Sequence, residues 1–303
     1  MTRPFQINRI LAPTDLSPSG VPALRYARFL AERFKAELTI MYSDPIVYPV
    51  EVVGQRIYVT PQPEFESQLR DEVVRHVSSI MGAKPYEIRI TTGQPVPAIL
   101  ESAKECSADL IVVGTHLHGG LQRVLLGSTS DGVLYGSQCP VLTVAGGDSP
   151  SEKPATIRKI LCPVNFTDVS RDSMLAAARL AHVLSAKLVI VHVIEPGEVT
   201  DAEADGRIRR WVAAELGDDG EYRELVLRGA AAERVLDCAE DIGADLIVVG
   251  AQHRFFRNAT VIGGTADRLI RFASCPVLVV PRKAVAASKL RAEAEPARVG
   301  AGT

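Results

Sequence analysis

The sequence lacks the features that mark secreted, membrane-spanning and metal-binding chains. Its 303 residues include only five cysteines, and no two of them have the spacing of a metal-ligand or redox pair. No run of 18 apolar residues occurs, and the N-terminal segment lacks the apolar core of a signal peptide. A formal net charge of −2 argues against a basic surface for nucleic acid or anionic lipid. We therefore expect a cytoplasmic protein whose partners include neither nucleic acid nor a membrane.

Signatures of two large enzyme classes are absent as well. The chain has no G-x-x-x-x-G-K-[ST] phosphate loop and no G-x-S-x-G nucleophile elbow. No residue stands out as a general base held by a second group, and no carboxylate pair suggests a Mg²⁺ site. The sequence therefore favours a binding module over an efficient enzyme.

What the sequence does contain is an internal duplication. The heptapeptide Ala108–Gly114 recurs letter for letter as Ala244–Gly250, and Cys139–Leu142 recurs as Cys275–Leu278. At roughly 150 residues per domain, the chain has room for two such units. The predicted divisions are a first domain at 1–146, a linker at 147–156, a second domain at 157–282 and a flexible tail at 283–303.

Each half alternates short apolar runs with longer amphipathic ones. This alternation predicts an α/β fold, with an open parallel five-stranded sheet in each half, Rossmann-like strand order 3-2-1-4-5 and helices on both faces. The predicted strands are 9–14, 37–42, 86–91, 109–113 and 140–144 in the first half, and 158–164, 187–193, 222–227, 245–249 and 276–280 in the second. The predicted helices of the first half are 18–34, 64–82, 95–106 and 123–137.

Two polar features converge if that topology is correct. Ligands of such sheets bind beyond the carboxyl ends of the strands where the connections reverse, here between the first and fourth strands. Asp15 follows the first strand, and the segment Gly114–Ser130 follows the fourth. A carboxylate accepts hydrogen bonds from ribose, while N–H groups at a helix start bind phosphate, helped by the Ser128 and Thr129 hydroxyls. This geometry favours a nucleotide.

Each feature also has a purely structural explanation. The Asp15 side chain can cap the following helix, and Gly-Ser-Thr at 127–129 can form a turn and an N-cap. His116 and His118 lie on one predicted loop and need not converge on a metal, so no metal site is predicted. His192, in the middle of a strand, is expected to be a hydrogen-bonded core residue.

Together these residues resemble the universal stress protein family, in a tandem form with two family domains on one chain. Ile10–Asp15 resembles the family's first strand and Cys139–Val144 its last. Gly114-x2-Leu117-x9-Gly127, followed by a hydroxyl residue, resembles the ATP-loop pattern G-x2-G-x9-G-[ST]. The resemblance covers nearly all of the chain except the linker and the tail. It implies an ATP-binding regulatory module in stress response, with Mg²⁺ accompanying the nucleotide and slow hydrolysis at most.

The resemblance also implies which residues bind the nucleotide. The implied contacts are Pro13, Asp15, Ser43, Gly114, Gly127, Ser128 and Thr129. Leu117 departs from the family pattern because it replaces the second glycine. If that position needs a positive φ, leucine there costs about 1–2 kcal/mol in strain. The neighbouring Gly119 and Gly120 offer the loop freedom to rearrange.

The second half departs further from the pattern. Asn165 replaces the aspartate, His253 takes the place of the second glycine, and Gly264 that of the hydroxyl residue. The segment Arg254–Arg257 adds two phenylalanines to the loop. We therefore expect the ligand mainly in the first half, with the second half as a packing partner.

Two other functions and two modes of assembly stay open at this point. Both loops can have degenerated, which leaves a nucleotide-free scaffold, or the chain can be an enzyme for an adenylated or small acidic substrate. By resemblance, the last strands Val141–Ala145 and Val277–Val280 are expected to pair the two halves within one chain and so cover exposed edges. The same resemblance allows a homodimer.

Overall fold

A computed structural model describes most of the chain. The described residues are 5–44, 48–52, 55–59, 63–82, 85–117, 124–146, 155–195, 201–217, 221–254 and 259–282. The predicted tail, most of the predicted linker, Gly119, Gly120 and the two phenylalanines at 255 and 256 therefore lie outside the described residues. Within the ranges above, no helix is both long and apolar enough to cross a bilayer.

Strands and helices alternate through both halves. The first half contains the strands β1 (Arg9–Thr14), β2 (Glu37–Asp44), β3 (Tyr48–Val52), β4 (Gln55–Val59), β5 (Glu87–Thr92), β6 (Leu110–Leu117), β7 (Val124–Leu125) and β8 (Val141–Gly146). Its helices are α1 (Val21–Phe34), α2 (Pro63–Met81), α3 (Pro95–Glu105) and α4 (Ser128–Gly136), with a short 3-10 helix at Pro18–Gly20. The second half contains the strands β9 (Lys159–Pro163), β10 (Lys187–Ile194), β11 (Tyr222–Arg228), β12 (Leu246–Arg254), β13 (Ala259–Val261) and β14 (Val277–Pro281). Its helices are α5 (Asp168–Leu184), α6 (Asp201–Leu216), α7 (Ala231–Ile242) and α8 (Gly264–Phe272).

Each half forms the predicted open parallel sheet. The strand order is β5-β2-β1-β6-β8 in the first half and β11-β10-β9-β12-β14 in the second. Counted along each predicted set, both orders are 3-2-1-4-5, which confirms the predicted topology. The connections reverse between β1 and β6 in one half and between β9 and β12 in the other, so each half has a crevice at that point.

The core lies between the sheet and the helices on its two faces. Strand residues such as Ile111 and Val112 are buried on opposite faces of β6, as a strand covered on both sides requires. Helix α1 turns one apolar stripe toward the sheet, with residues three or four positions apart buried together. Its buried residues are Val21, Ala23, Leu24, Ala27, Leu30 and Ala31.

The two sheets meet edge to edge in the described structure. Strand β8 pairs antiparallel with β14, with Leu142 opposite Leu278. The Thr143 hydroxyl donates a hydrogen bond to the carbonyl oxygen of Val277 at 3.1 Å. The two sheets thereby form one continuous sheet, and the last strand of neither half is left as a free edge.

The segment before α4 differs from the prediction. The helix expected over 123–137 begins only at Ser128. Val124 and Leu125 instead form β7, which pairs antiparallel with the end of β6, a strand longer than the predicted 109–113. Pairing as strands satisfies the hydrogen-bonding groups of both backbones. A helical turn ahead of Gly127 would leave the end of β6 without this partner.

Candidate functional site

One crevice in the first half collects residues from three separate strand ends. It lies at the carboxyl ends of β1, β2 and β6 and has a volume of about 370 Å³, within the range of small-molecule sites. All seven residues singled out from the sequence line it. They are Pro13, Asp15, Ser43, Gly114, Gly127, Ser128 and Thr129.

Asp15 forms a local turn at the end of β1. Its Oδ1 accepts hydrogen bonds from the backbone N–H of Ser17 at 3.0 Å and from the Ser17 hydroxyl at 2.6 Å. The intervening Leu16 has a φ of 63°, a left-handed conformation that this turn holds in place. The carboxylate is exposed, and its Oδ2 takes no part in the turn. Turn formation and ligand binding by Asp15 are therefore compatible.

The second half keeps the same turn without the charge. The Asn165 Oδ1 accepts from the Thr167 hydroxyl at 2.7 Å, and Phe166 has a φ of 61°. An amide oxygen is thus sufficient for this turn. The turn alone does not explain why the first half has a carboxylate at Asp15.

This comparison predicts the effect of two substitutions at Asp15. We expect Asp15→Asn to change the free energy of unfolding by less than about 0.5 kcal/mol, because Asn reproduces the turn, whereas Asp15→Ala lowers it by about 1 kcal/mol. Urea unfolding of ligand-free protein measures both values. Equal losses for Asn and Ala would show that the charge itself stabilises the fold.

Helix α4 points its N-terminus into the crevice. Gly127 is the N-cap and has no side chain to cap the first turn, which is closed by a 3.0 Å hydrogen bond from Asp131 N–H to the Gly127 carbonyl. The Ser130 hydroxyl donates to the carbonyl oxygen of Gly114 at 2.6 Å and ties the helix to β6. N–H groups at such an uncapped helix start, together with the hydroxyls of Ser128 and Thr129, suit an anion.

Gly114 has a packing role that needs no ligand. A Cβ atom at this position would lie 3.3 Å from the Cα of Gly20 and 3.5 Å from the carbonyl oxygen of Ser19. The absent side chain therefore lets the 3-10 helix pass close to β6. Gly114 contributes to the shape of the crevice, whatever occupies it.

The far wall of the crevice is fixed through the end of β2. The Ser43 hydroxyl donates to the carbonyl oxygen of Gly93 at 2.9 Å, and Gly93 N–H donates to the Asp44 carbonyl at 2.8 Å. Beside it, burial raises the pKa of Tyr42, and the carboxylates of Asp44, Glu72 and Asp15 raise it further. The Tyr42 phenol is therefore neutral at physiological pH.

The sequence interpretation missed several lining residues. These are Thr14, Ser19, Gly20, Met41, Tyr42, Pro95, Ile99, Val113 and Ser130. Met41 and Tyr42 lie beside Ser43 at the end of a predicted strand, so their position was available from the strand pattern. Pro95 and Ile99 come from α3, and only the packing of that helix against the sheet brings them to the crevice.

Leu117 does not adopt the conformation that its replacement of glycine suggested. It is the last residue of β6 and lies opposite Val124 of β7. Its backbone is extended, and any residue adopts an extended backbone without strain. Leu117 therefore does not meet the condition, a positive φ, under which strain was expected.

The second half also has a cavity at the reversal point of its sheet, of about 840 Å³. His192 lies there, 7% exposed, with Nδ1 2.9 Å from the Val164 carbonyl oxygen, as predicted for a hydrogen-bonded core histidine. The Phe166 ring packs 4.5 Å from the His192 ring, and the Arg207 guanidinium lies 4.2 Å from the Phe166 ring centroid. Phe166 and His192 occupy the positions that Leu16 and Tyr42 have in the first half. An aromatic and cationic cluster therefore lines the second cavity.

A metal centre is a separate question from either cavity. Among the residues that the structure describes, no three His, Cys, Asp or Glu side chains gather so that they could hold a metal ion.

The fold and the crevice define a class of protein: a tandem α/β chain with a helix N-terminus at the reversal point of its sheet. The sequence pattern of the Universal stress protein family matches residues 6–145 and 156–281. The chain therefore belongs to the universal stress protein family, in its tandem form, which confirms the resemblance of the sequence motifs.

Individual relatives agree with this assignment. A universal stress protein of Methanocaldococcus jannaschii is 33% identical over 140 residues, which are 45% of this chain and 81% of that protein. One from Mycobacterium tuberculosis is 26% identical over 290 residues, covering 89% of this chain and 95% of that protein. The crystal structure of a universal stress protein from Archaeoglobus fulgidus is similar with a TM-score of 0.72 at 23% identity, covering 92% of this chain and 100% of that one. That likeness shows the shared fold.

Proposed function

We propose that this protein is a cytoplasmic regulatory module of the stress response that binds ATP in the crevice of its first half. One observation carries the proposal. Residues from three distant segments, which the family resemblance implies as nucleotide contacts, line a single cavity of about 370 Å³. The proposal divides the chain into domains at 1–146 and 157–282, joined by the linker 147–156.

The crevice offers a separate partner to each part of the nucleotide. The α4 N-terminus, with Ser128 and Thr129, suits the phosphates, because uncapped N–H groups and the helix dipole favour negative charge. The carboxylate of Asp15 suits the ribose hydroxyls. Pro13 and Ser43 line the same crevice, and we propose that the base lies against them. Mg²⁺ bound with ATP supplies charge neutralisation at the phosphates.

The second half serves as a packing partner in this proposal. It pairs with the first half through β8 and β14. Among the described strands, β5 and β11 are the outermost strands of the joined sheet. A homodimer of two such chains is part of the proposal as well.

The proposal predicts one ATP per chain. Protein freed of nucleotide by unfolding and refolding, or by extensive dialysis, is titrated with ATP in a calorimeter in the presence of Mg²⁺. We expect saturation at one ATP per chain, accompanied by a higher melting temperature. GTP has the same charge and a different base, and we expect it to bind more weakly, because the walls near Pro13 and Ser43 contact the base.

Three results would contradict this assignment. Two ATP per chain would place a site in the second half as well. Equal binding of GTP would mean that the crevice recognises phosphate alone. ATP binding would be rejected if the titration gave no heat, ATP left the melting temperature unchanged and freshly purified protein released no nucleotide.

The scaffold function is the second candidate, and the local contacts support it. The packing of Gly114 explains one site residue without any ligand, and the turn explains a polar side chain at Asp15, though not its charge. If the titration shows no binding, the surface of the joined sheets becomes the functional part of the molecule.

A further inference from the structure

Helix α4 of the first half lies beside helix α8 of the second half, and charged side chains join them. On α8, the Arg271 Nε lies 3.0 Å from both carboxylate oxygens of Asp267. The same guanidinium reaches across to α4, where Nη2 lies 3.5 Å from Oδ1 of Asp131. The charge of Arg271 also acts on Tyr135, one turn further along α4, where it partly opposes the rise of the phenol pKa. One cation is therefore shared between the two halves.

The net charge of this cluster is negative. Asp131 and Asp267 contribute two carboxylates, and Arg271 contributes one positive charge. The hydrogen bond and the charge of Asp267 raise the pKa of Arg271, with a smaller contribution from Asp131, so the guanidinium stays protonated. Burial and the two carboxylates raise the pKa of Tyr135, so this phenol is neutral at pH 7. Without Arg271, two negative charges would remain uncompensated.

Asp131 is placed where its charge matters for the proposed ligand. It lies in the first turn of α4, directly after Ser130, and its N–H closes that turn on Gly127. A carboxylate there stabilises the helix through the dipole. The Asp131 side chain is 40% exposed and is not among the residues that line the crevice, so its repulsion of a phosphate at this helix end acts at a distance and is weakened by solvent. Arg271 offsets that repulsion.

The second half holds the other end of α4 as well. Thr260 of β13 is buried, and its hydroxyl donates to the Ser137 carbonyl oxygen, just past the C-terminus of α4, at 2.8 Å. Helix α4 is thus fixed by Arg271 near its N-terminus and by Thr260 at its C-terminus. Both contacts come from the half that is not expected to bind ATP.

We infer that Arg271, a residue of the second half, is a positioning residue for the phosphate end of the first-half crevice, acting through Asp131. It keeps the charge at the α4 N-terminus compatible with a polyphosphate. This inference rests on the proposed function and extends it, since it assigns the second half a direct part in ligand affinity.

The test compares ligands that share the nucleoside and differ in the number of phosphate groups. Adenosine, AMP and ATP are titrated into the full chain and into Arg271→Gln, and the melting temperature of each ligand-free protein is recorded. We expect the ATP affinity to fall about tenfold, AMP affinity less, and adenosine affinity less than about twofold, because the lost interaction is Coulombic. Arg268→Gln is the matched control, since Arg268 lies on the same helix and pairs with Glu233 of its own half at 3.1 Å. We expect this control to bind all three ligands as the unmodified chain does.

Two further variants separate charge from shape. Arg271→Lys keeps the cation and is expected to retain most of the preference for ATP, even where the geometry of the ion pair changes. Adding Asp131→Asn to Arg271→Gln removes the repelling carboxylate and is expected to restore most of the ATP affinity. A loss that is equal for adenosine and ATP would show a merely structural role and overturn the inference, while the proposed function would stand. If the unmodified chain binds none of the three ligands, the proposed function fails and the inference fails with it.

Discussion

We expect Gly127→Asp to abolish ATP binding and to leave the fold intact. Gly127 has φ −62° and ψ 155°, an extended conformation that aspartate adopts without strain. Aspartate is also among the best N-cap residues, so its carboxylate accepts hydrogen bonds from the first turn of α4 and stabilises the helix by up to about 1 kcal/mol. The same carboxylate occupies the N–H groups that a phosphate needs and adds a negative charge beside them. We expect the ATP affinity to fall by about a hundredfold or more.

The second half offers a matched control for this substitution. Gly263 is the N-cap of α8, with φ −69° and ψ 159°, and no atom lies within 4 Å of a Cβ placed there. Gly263→Asp therefore makes the same chemical change at the same place in the other half. We expect it to bind ATP as the unmodified chain does.

Calorimetric titration with ATP and a melting curve of the ligand-free protein measure both properties for each variant. Unchanged binding in Gly127→Asp would show that the phosphates do not lie at α4. Loss of binding in Gly263→Asp as well would place the ligand, or its coupling, in the second half. A large drop in the melting temperature of either variant would mean that the N-cap glycine is required for folding, contrary to the geometry.

The positions of the strands followed from the sequence because the signals for strands are local. The repeated heptapeptide at Ala108–Gly114 and Ala244–Gly250 fixes the fourth strand of each half, and apolar runs on both faces indicate covered strands. Once the order is known, the reversal point brings Asp15 and the α4 N-terminus to one crevice. The part of the crevice that strand ends form is therefore predictable from the strands, whereas the part that α3 forms is not.

The hairpin and the joint between the halves could not be predicted in the same way. Leu117 looked like a strained replacement for glycine, but antiparallel pairing with Val124 gives it an extended backbone. The contact of Thr260 with Ser137 spans 123 residues of sequence, and that between Arg271 and Asp131 joins separate halves. No periodic pattern in the sequence indicates either contact, because each contact depends on how the two folded halves pack together.

The second prediction with a large expected effect concerns two glycines in identical heptapeptides. We expect Gly250→Ala to lower the free energy of unfolding by about 3 kcal/mol, near the upper range for overpacking. A Cβ at Gly250 would lie 2.5 Å from the carbonyl oxygen of Val169 and 2.6 Å from its Cγ1, so the start of α5 would have to move away from β12. Gly114→Ala is expected to cost less than about 1 kcal/mol, because 3.3 Å to the Cα of Gly20 needs a shift of only a few tenths of an ångström.

The difference arises from the segments that face the two glycines. In the second half, the first turn of α5 presents the Val169 backbone directly to Gly250, while in the first half the 3-10 helix Pro18–Gly20 presents a glycine to Gly114. Urea unfolding of the two variants, followed by far-UV circular dichroism, measures both costs under the same conditions. Equal losses of unfolding free energy would mean that both glycines are needed for the conformation of the strand and not for the packing of the helix against it. A larger loss at Gly114 would reverse the packing argument and make the first-half crevice the more tightly packed of the two.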